Sequence, residues 1–377
     1  MKSRLVIILF VLVCSYIITN TFQKWHKNIF KWDQSGYQLH LPAVLIYNDI
    51  EKLGFYSYID SVYQPSGEYK NYCIYTLDNG NRINRYSVGP AIHQLPFFLI
   101  AHFVNTQWLS YPADGYSLPY ECSTLLSNLF WVVVGLYVLG RFLLQYFTDT
   151  IAAAVVLIIA FGTNLYYYTA FNAGGTHGIS FFHVAMLMLF TSKLYSSNDK
   201  RYFYLLGFVA GLISITRPVN LLALLIPLLW GINNRTALKQ QVQFLRQNLL
   251  HIAGAMALFV IVLMPQIGLW KYVTGQWYYD GYPNEGFIWT EPRIWQGLFS
   301  FQKGWLIYAP INMFALLGIY SMCRQLKQYI PATIIFIVAF IYVVYSWWNW
   351  WYGGCFGSRP MVHILAVFSV PLAALIT

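Results

Sequence analysis

Two apolar stretches, YFYLLGFVAGLISIT and VNLLALLIPLLWG, are separated by Arg217 and Pro218. A guanidinium at bilayer depth costs about 2.5–3.5 kcal/mol on insertion scales, which marks such a position as a functional site. Arginine grips phosphate through two parallel donors, so an anionic lipid headgroup is the chemistry this position suggests. The plainer alternative is an arginine snorkelling to the interface from a short helix. Asp33 lies in FKWDQSGYQLHLP, beside Trp32 and Tyr37 and soon after the first apolar run. A carboxylate at a membrane surface among aromatic rings could act as a general base; otherwise it is a solvated loop acid. Arg359 falls in WWNWWYGGCFGSRP, where Gly353, Gly354 and Gly357 would let the backbone lie close to a ligand. The alternative there is a loop anchored by an aromatic belt. His177, in NAGGTHGISFF, is either a polar group at the top of a helix or a satisfied structural histidine. There is no HExxH, Walker A, CxxC or serine nucleophile-elbow motif, hence no metal cluster or nucleotide-phosphate loop to be read from the sequence.

The elements that must carry these residues are membrane helices. Of the 377 residues 58% are hydrophobic and only 10% charged, against about 25% charged in a soluble domain. The net charge of +10 is read as Lys and Arg on loops, with no nucleic-acid partner. The five cysteines match no metal or disulfide signature; a Cys73–Cys122 bridge is an option, but plain thiols are expected. A spanning helix needs about 20 mostly apolar residues. Residues 5–22, 120–146, 150–170, 179–195, 249–270, 304–322, 330–347 and 361–377 qualify, the first as an uncleaved helix and not a signal peptide. In 202–231, Pro218 disfavours helix through Arg217, which predicts two short helices entering and leaving on one side. The fold class expected is an all-α polytopic membrane protein of about ten segments, forming a single domain over 1–377.

Charge sets the orientation. With the N-terminus inside, the short inner segments hold Lys2, Arg4, Arg141, Lys193, Lys200, Arg201, Arg235, Lys239, Arg246, Arg324 and Lys327, and of the acids only Asp149 and Asp199. That is the positive-inside pattern. It places residues 23–119 and 271–303 outside as a long first loop and a second loop. Within the first, residues 91–104 read as a helix lying at the interface. Of the 14 tryptophans, Trp131 and Trp230 alone fall away from the outer side, a one-sidedness suited either to an aromatic belt or to stacking on sugar or lipid. The glycosylation sequence at Asn234 would face inward and is read as chance.

The order of WDQSGYQLHLPAV, INRYSVGPAIHQLPFFLIAH, NLYYYTAFNAGGTHGISFF, GFVAGLISITRPVNLLALLIPLLW, YYDGYPNEGF, LFSFQKGWLIYAP and WWNWWYGGCFGSRPMVHILAVFSVP resembles, over nearly the whole chain, the type C glycosyltransferases. These integral membrane enzymes use polyprenyl-phosphate sugars and include protein mannosyltransferases and aminoarabinose transferases; the likeness is to a branch of Bacteroidetes-type bacteria. The resemblance implies a bacterial inner-membrane protein, a polyprenyl-phosphate-linked sugar donor, and a glycan, lipid or protein acceptor on the outer side. By position it makes Asp33 the catalytic base. Arg85 and Tyr86 fall at the family's Lys-Pro-Pro-Leu-type element, here without its paired prolines. Tyr37, Arg85, Tyr86, His177, Arg217, Glu285 and Arg359 are the expected substrate-binding residues. Where the family has an Asp-Glu pair this chain has Asp33-Gln34; a divalent metal is left open. Family members usually continue beyond the point where this chain stops, so a short or truncated member is expected. The competing reading is a lipid-linked sugar flippase, which would bind the same ligand without needing an outer base.

Overall fold

Apolar runs of 18 residues or more dictate most of the architecture. The computed structural model describes residues 2–25, 29–67, 69–283 and 285–377. Helix α1 (Lys2–Trp25) leads into a first loop that holds α2 (Asp33–Leu45), α3 (Tyr56–Tyr63), the antiparallel pair β1 (Ile74–Thr76) and β2 (Arg82–Asn84), and α4 (Gly89–Trp108). Then follow α5 (Leu118–Leu143), α6 (Asp149–Phe161), α7 (Leu165–Ala170), α8 (His177–Ser197), α9 (Arg201–Thr216), α10 (Leu225–Leu229) and α11 (Arg235–Gln247). The chain continues through α12 (Leu249–Thr274), α13 (Ile294–Phe299), α14 (Trp305–Tyr308), α15 (Ile311–Gln325), α16 (Ile330–Ser346) and α17 (Leu365–Ile376). Among the described residues six stretches are long and apolar enough to cross a bilayer: Lys2–Asn20, Leu118–Leu143, His177–Ser197, Leu249–Thr274, Lys327–Ser346 and Arg359–Ile376. The chain is an all-α membrane protein with one short hairpin, which the sequence had not suggested.

Several expected spans are broken, each for a local reason. Residues 150–170 divide at Gly162-Thr163-Asn164. There the Thr163 hydroxyl turns back to the Ile159 carbonyl, and the buried Asn164 amide donates to the Ser358 carbonyl at 3.1 Å. Residues 304–322 divide at Pro310, whose ring cannot follow the preceding turn. The break foreseen at Arg217 is present. α9 ends at Thr216, Arg217 is extended (φ −152°, ψ 96°), and a 3-10 turn, Pro218–Leu224, leads into α10. The return leg ends where α9 began: Tyr195, near the end of α8, donates to the Pro227 carbonyl and accepts from Gln241 of α11. Arg217 is therefore the tip of a hairpin. The helix expected over 91–104 is longer, with Pro90 in its first turn. Asn234 caps α11 by accepting from the Ala237 amide at 2.8 Å, a helix-starting role.

The core lies along α5, α8 and α17; the last is buried over 83% of its apolar window, α12 over only 6%. What holds α12 to the bundle is its seam with α9. Gly207 and Gly211 of α9, four residues apart, face it so closely that a Cβ on Gly207 would overlap the Ala255 carbonyl, and one on Gly211 would lie 2.6 Å from the Val262 Cβ. Small residues at this spacing let two helices touch backbone to backbone in lipid. Gly207→Leu should therefore cost about 1–3 kcal/mol, read as a lower melting midpoint in detergent. Gly268→Leu on the same seam partner, where a Cβ meets nothing within 4 Å, should leave the midpoint unchanged.

Candidate functional site

The helix breaks meet at one end of the bundle, around a cavity of about 500 Å³. Its walls come from Trp32–Gln34, Tyr37 and Tyr72 of the first loop, from the loop joining α7 to α8, from Arg217, and from Asn349, Tyr352–Gly354 and Arg359. Asp33 occupies the first turn of α2, where a carboxylate suits the positive end of the helix dipole. The residue before it, Trp32, has φ 51°, an outlier for a bulky side chain and a place where backbone strain is stored. It is held by its amide bond to the Pro65 carbonyl (3.0 Å) and by its indole, edge-on to Tyr72 at 5.1 Å.

Asp33 is surrounded by donors. One carboxylate oxygen accepts from the Tyr86 hydroxyl at 2.6 Å and from Tyr72 at 3.4 Å; the other accepts from the Arg359 guanidinium at 3.0 Å. Burial pushes its carboxyl up, but Arg359, the Tyr86 hydrogen bond and Arg217 outweigh burial and hold it below the usual carboxylate range. Arg217 donates from Nε to the Thr176 hydroxyl at 2.8 Å and from its terminal nitrogen to the Tyr37 hydroxyl. It is extended because Pro218 forbids the helical conformation at the preceding residue. Arg359 lies over the Tyr352 ring at 6.0 Å. Two guanidinium groups thus flank one carboxylate, with a net positive charge to offer an anion.

Asp33, Tyr37, His177, Arg217 and Arg359, predicted from sequence, all line this one cavity. Tyr86 reaches it through Asp33. Arg85 and Glu285 do not line it. They form an ion pair with each other, with Tyr282 packed 4.4 Å from the guanidinium and the Trp348 indole donating to the other Glu285 oxygen at 3.1 Å. The pair clasps the loop that follows α12 to the loop that follows α1. Residues that sequence reasoning missed are Tyr72, Thr176, Gln34, Asn172 and Tyr352; Gln34 donates to the Asn172 side chain across the cavity. Thr176 could have been found, since it precedes His177 in NAGGTHG, whereas Tyr72 carries no local signal. The five cysteines are free thiols, with Cys73 and Cys355 buried and Cys122 and Cys323 exposed.

The donor set suits an anion and not a divalent cation. Among the described residues no three His, Cys, Asp or Glu side chains come together, and the lone carboxylate is already met by Arg359 and Tyr86. A hard cation needs about six oxygens. No family model matches the chain, and no curated protein or solved structure does so either. The fold and the site define an all-α membrane protein with a cationic, aromatic-walled cavity at one end.

The Asp33 environment has a pH signature. A carboxyl whose folded pKa lies below its unfolded value, about 3.9, favours folding above that value and loses the contribution as pH falls through the folded pKa. The melting-temperature difference between wild type and Asp33→Asn should be constant from about pH 7 to pH 5, then shrink below about pH 4. A difference that grows on acidification would contradict the pairing with Arg359.

Proposed function

We propose that the chain is a type C membrane glycosyltransferase, moving a sugar from a polyprenyl-phosphate donor to a glycan, lipid or protein acceptor with inversion at the anomeric carbon. The observation that carries this reading is the juxtaposition of Asp33 with Arg217 and Arg359 in one cavity, at the mouth of an apolar bundle. The acceptor oxygen bonds to the anomeric carbon as the bond from that carbon to the phosphate oxygen breaks. The electron pair leaves with the phosphate, and the acceptor proton passes to Asp33. Charge grows on the phosphate in the transition state, where two pre-placed guanidinium groups are worth more than in water.

The resting pairing of Asp33 with Arg359 bears on this scheme. A carboxylate tied to a guanidinium is a weak base. A donor phosphate competes for Arg359 and Arg217, which frees the Asp33 oxygen and raises its proton affinity as the substrate arrives. In the same reading the breaks separate ten membrane segments: the six long helices, α6 with α7, the two legs of the Arg217 hairpin, and α14 with α15. The N-terminus is cytoplasmic in a bacterial inner membrane, and the site is extracytoplasmic, as the positive-inside pattern requires.

Three measurements test the reading. Asp33→Asn should lower transfer by about 10²–10⁴-fold while polyprenyl phosphate binds at least as tightly, because the competing carboxylate is neutralised. Full transfer in that variant would remove Asp33 as the base, and no transfer by the wild type, with donor binding intact, would favour a flippase. Arg217→Lys should keep partial activity, having charge without the bidentate fork, and Arg217→Ala should lose both donor affinity and turnover. Unchanged affinity in a stable Arg217→Ala protein would assign the phosphate to Arg359 alone. For orientation, an impermeant thiol reagent on intact cells should label Cys122 and not Cys323, the two exposed thiols, which sit on opposite sides in this arrangement.

A further inference from the structure

Behind the cavity wall runs a line of buried polar groups that the scheme above leaves unused. His177 closes the wall. Its Nδ1 lies 2.9 Å from Nε2 of His363, and Nδ1 of His363 lies 2.9 Å from the Asn220 side-chain oxygen. Asn220 and His363 are each about 1% exposed. They come from two of the helix breaks: Asn220 from the 3-10 turn after Arg217, His363 from the turn after Arg359. The same two breaks that aim the arginines at the cavity also bring this line together.

We propose that Asn220 and His363 are positioning residues that fix the tautomer of His177, so that its Nε2 faces the cavity as a hydrogen-bond acceptor for a hydroxyl of the bound sugar or acceptor. The argument is one of proton counting. A neutral imidazole has one N–H and one bare nitrogen. The Asn220 side chain turns its oxygen toward His363 and leaves its Nδ2 buried without a partner; in that orientation it can only accept, so His363 carries its proton on Nδ1 and leaves Nε2 bare. That bare nitrogen needs a donor, so His177 carries its proton on Nδ1. Its Nε2 is then the lone pair left over, on the cavity side, with Gly175 alongside: a Cβ there would sit 3.2 Å from Cδ2 and 3.7 Å from Nε2 of His177. A side chain at Gly175 would crowd that edge. Because Arg217, Arg359, Gln34 and the tyrosines all bring N–H or O–H groups to this cavity, a neutral acceptor on the same wall gives a polyhydroxylated ligand a place to donate.

A second histidine pair makes the same kind of contact away from this cavity. His93 and His183 meet through their Nε2 atoms at 2.9 Å, and His93 Nδ1 faces the Gly89 carbonyl at 2.8 Å. The line ends at His183 Nδ1, which is buried with no partner. It ties α4 to α8, and neither ring lines the cavity described above.

The inference rests on the cavity being a sugar site, but its first test does not. The chain has eight histidines, few enough for nitrogen-15 histidine labelling and solid-state NMR in lipid, with His177→Gln used to assign the His177 signals. An isolated neutral imidazole favours the Nε2–H tautomer; wild-type His177 should show the reverse, protonated Nδ1 and bare Nε2. Asn220→Asp, which keeps an acceptor facing His363, should preserve that signature, and Asn220→Leu should shift it toward Nε2–H. Protonated Nε2 in the wild type, or a His177 signature indifferent to Asn220→Leu in protein of normal melting temperature, would overturn the relay. Should Asn220→Leu fail to fold, His363→Phe removes the acceptor that faces His177 Nδ1 and is read the same way. In the transfer assay, Asn220→Leu should raise KM for the acceptor or donor sugar by about 3- to 10-fold, the worth of one neutral hydrogen bond, with affinity for polyprenyl phosphate alone unchanged. If the tautomer shifts and no hydroxylated ligand binds the wild type, the relay stands and the glycosyltransferase reading falls.

Discussion

A carboxylate set between two guanidinium groups at the mouth of an apolar bundle is the arrangement on which the rest of the molecule turns. Isolated, any of the three would be costly to remove from water. Together, Asp33 and Arg359 offset each other across 3.0 Å, and Arg217 is held by the hydroxyls of Thr176 and Tyr37. Hydroxyl partners neutralise no charge, so the group keeps a net positive balance. That balance is what makes the cavity a site for an anion and not merely a buried ion pair.

The fold reaches this arrangement by interrupting its helices at one level. α6 stops before Asn164, α9 before Arg217, and α17 is preceded by the turn that starts at Arg359. Each interruption frees backbone groups that lipid could not satisfy, and irregular backbone at such depth is tolerated only where protein or a water-filled cavity covers it. Two such bonds lie within the cluster: the Asn164 side chain donates to the Ser358 carbonyl, and the Asn220 backbone N–H donates to the Arg217 carbonyl. The breaks therefore brace one another, and the charged residues sit at their corners.

Much of this was legible in the sequence, and the reason differs between residues. Pro218 announces a break because the ring removes a donor and clashes with the preceding turn, whereas the same ring at Pro310 was passed over when 304–322 was read as one span. Arg217 stood out because charge is rare amid apolar residues. The break at Asn164 was not legible, since Gly162-Thr163-Asn164 is a weak signal whose partner, Ser358, is 194 positions away. Arg85 and Glu285 looked like ligand contacts because an exposed loop charge gives no hint of a partner 200 positions distant. Whether such charges face a cavity or each other is decided by packing between the two long loops, which periodicity does not encode. His363 was hidden by its surroundings, an apolar run in which one imidazole reads as incidental.

The seam between α9 and α12 has a consequence for how the protein meets its lipid. α12 has 26 residues, about 39 Å of helix at 1.5 Å per residue, against a hydrocarbon layer of about 30 Å. It must tilt or bend to fit, and Pro265 lies within it. Its packing is almost wholly against α9, and α9 ends at the residue before Arg217. Whatever tilt α12 takes up, the helix it leans on is therefore the one whose last residue precedes Arg217.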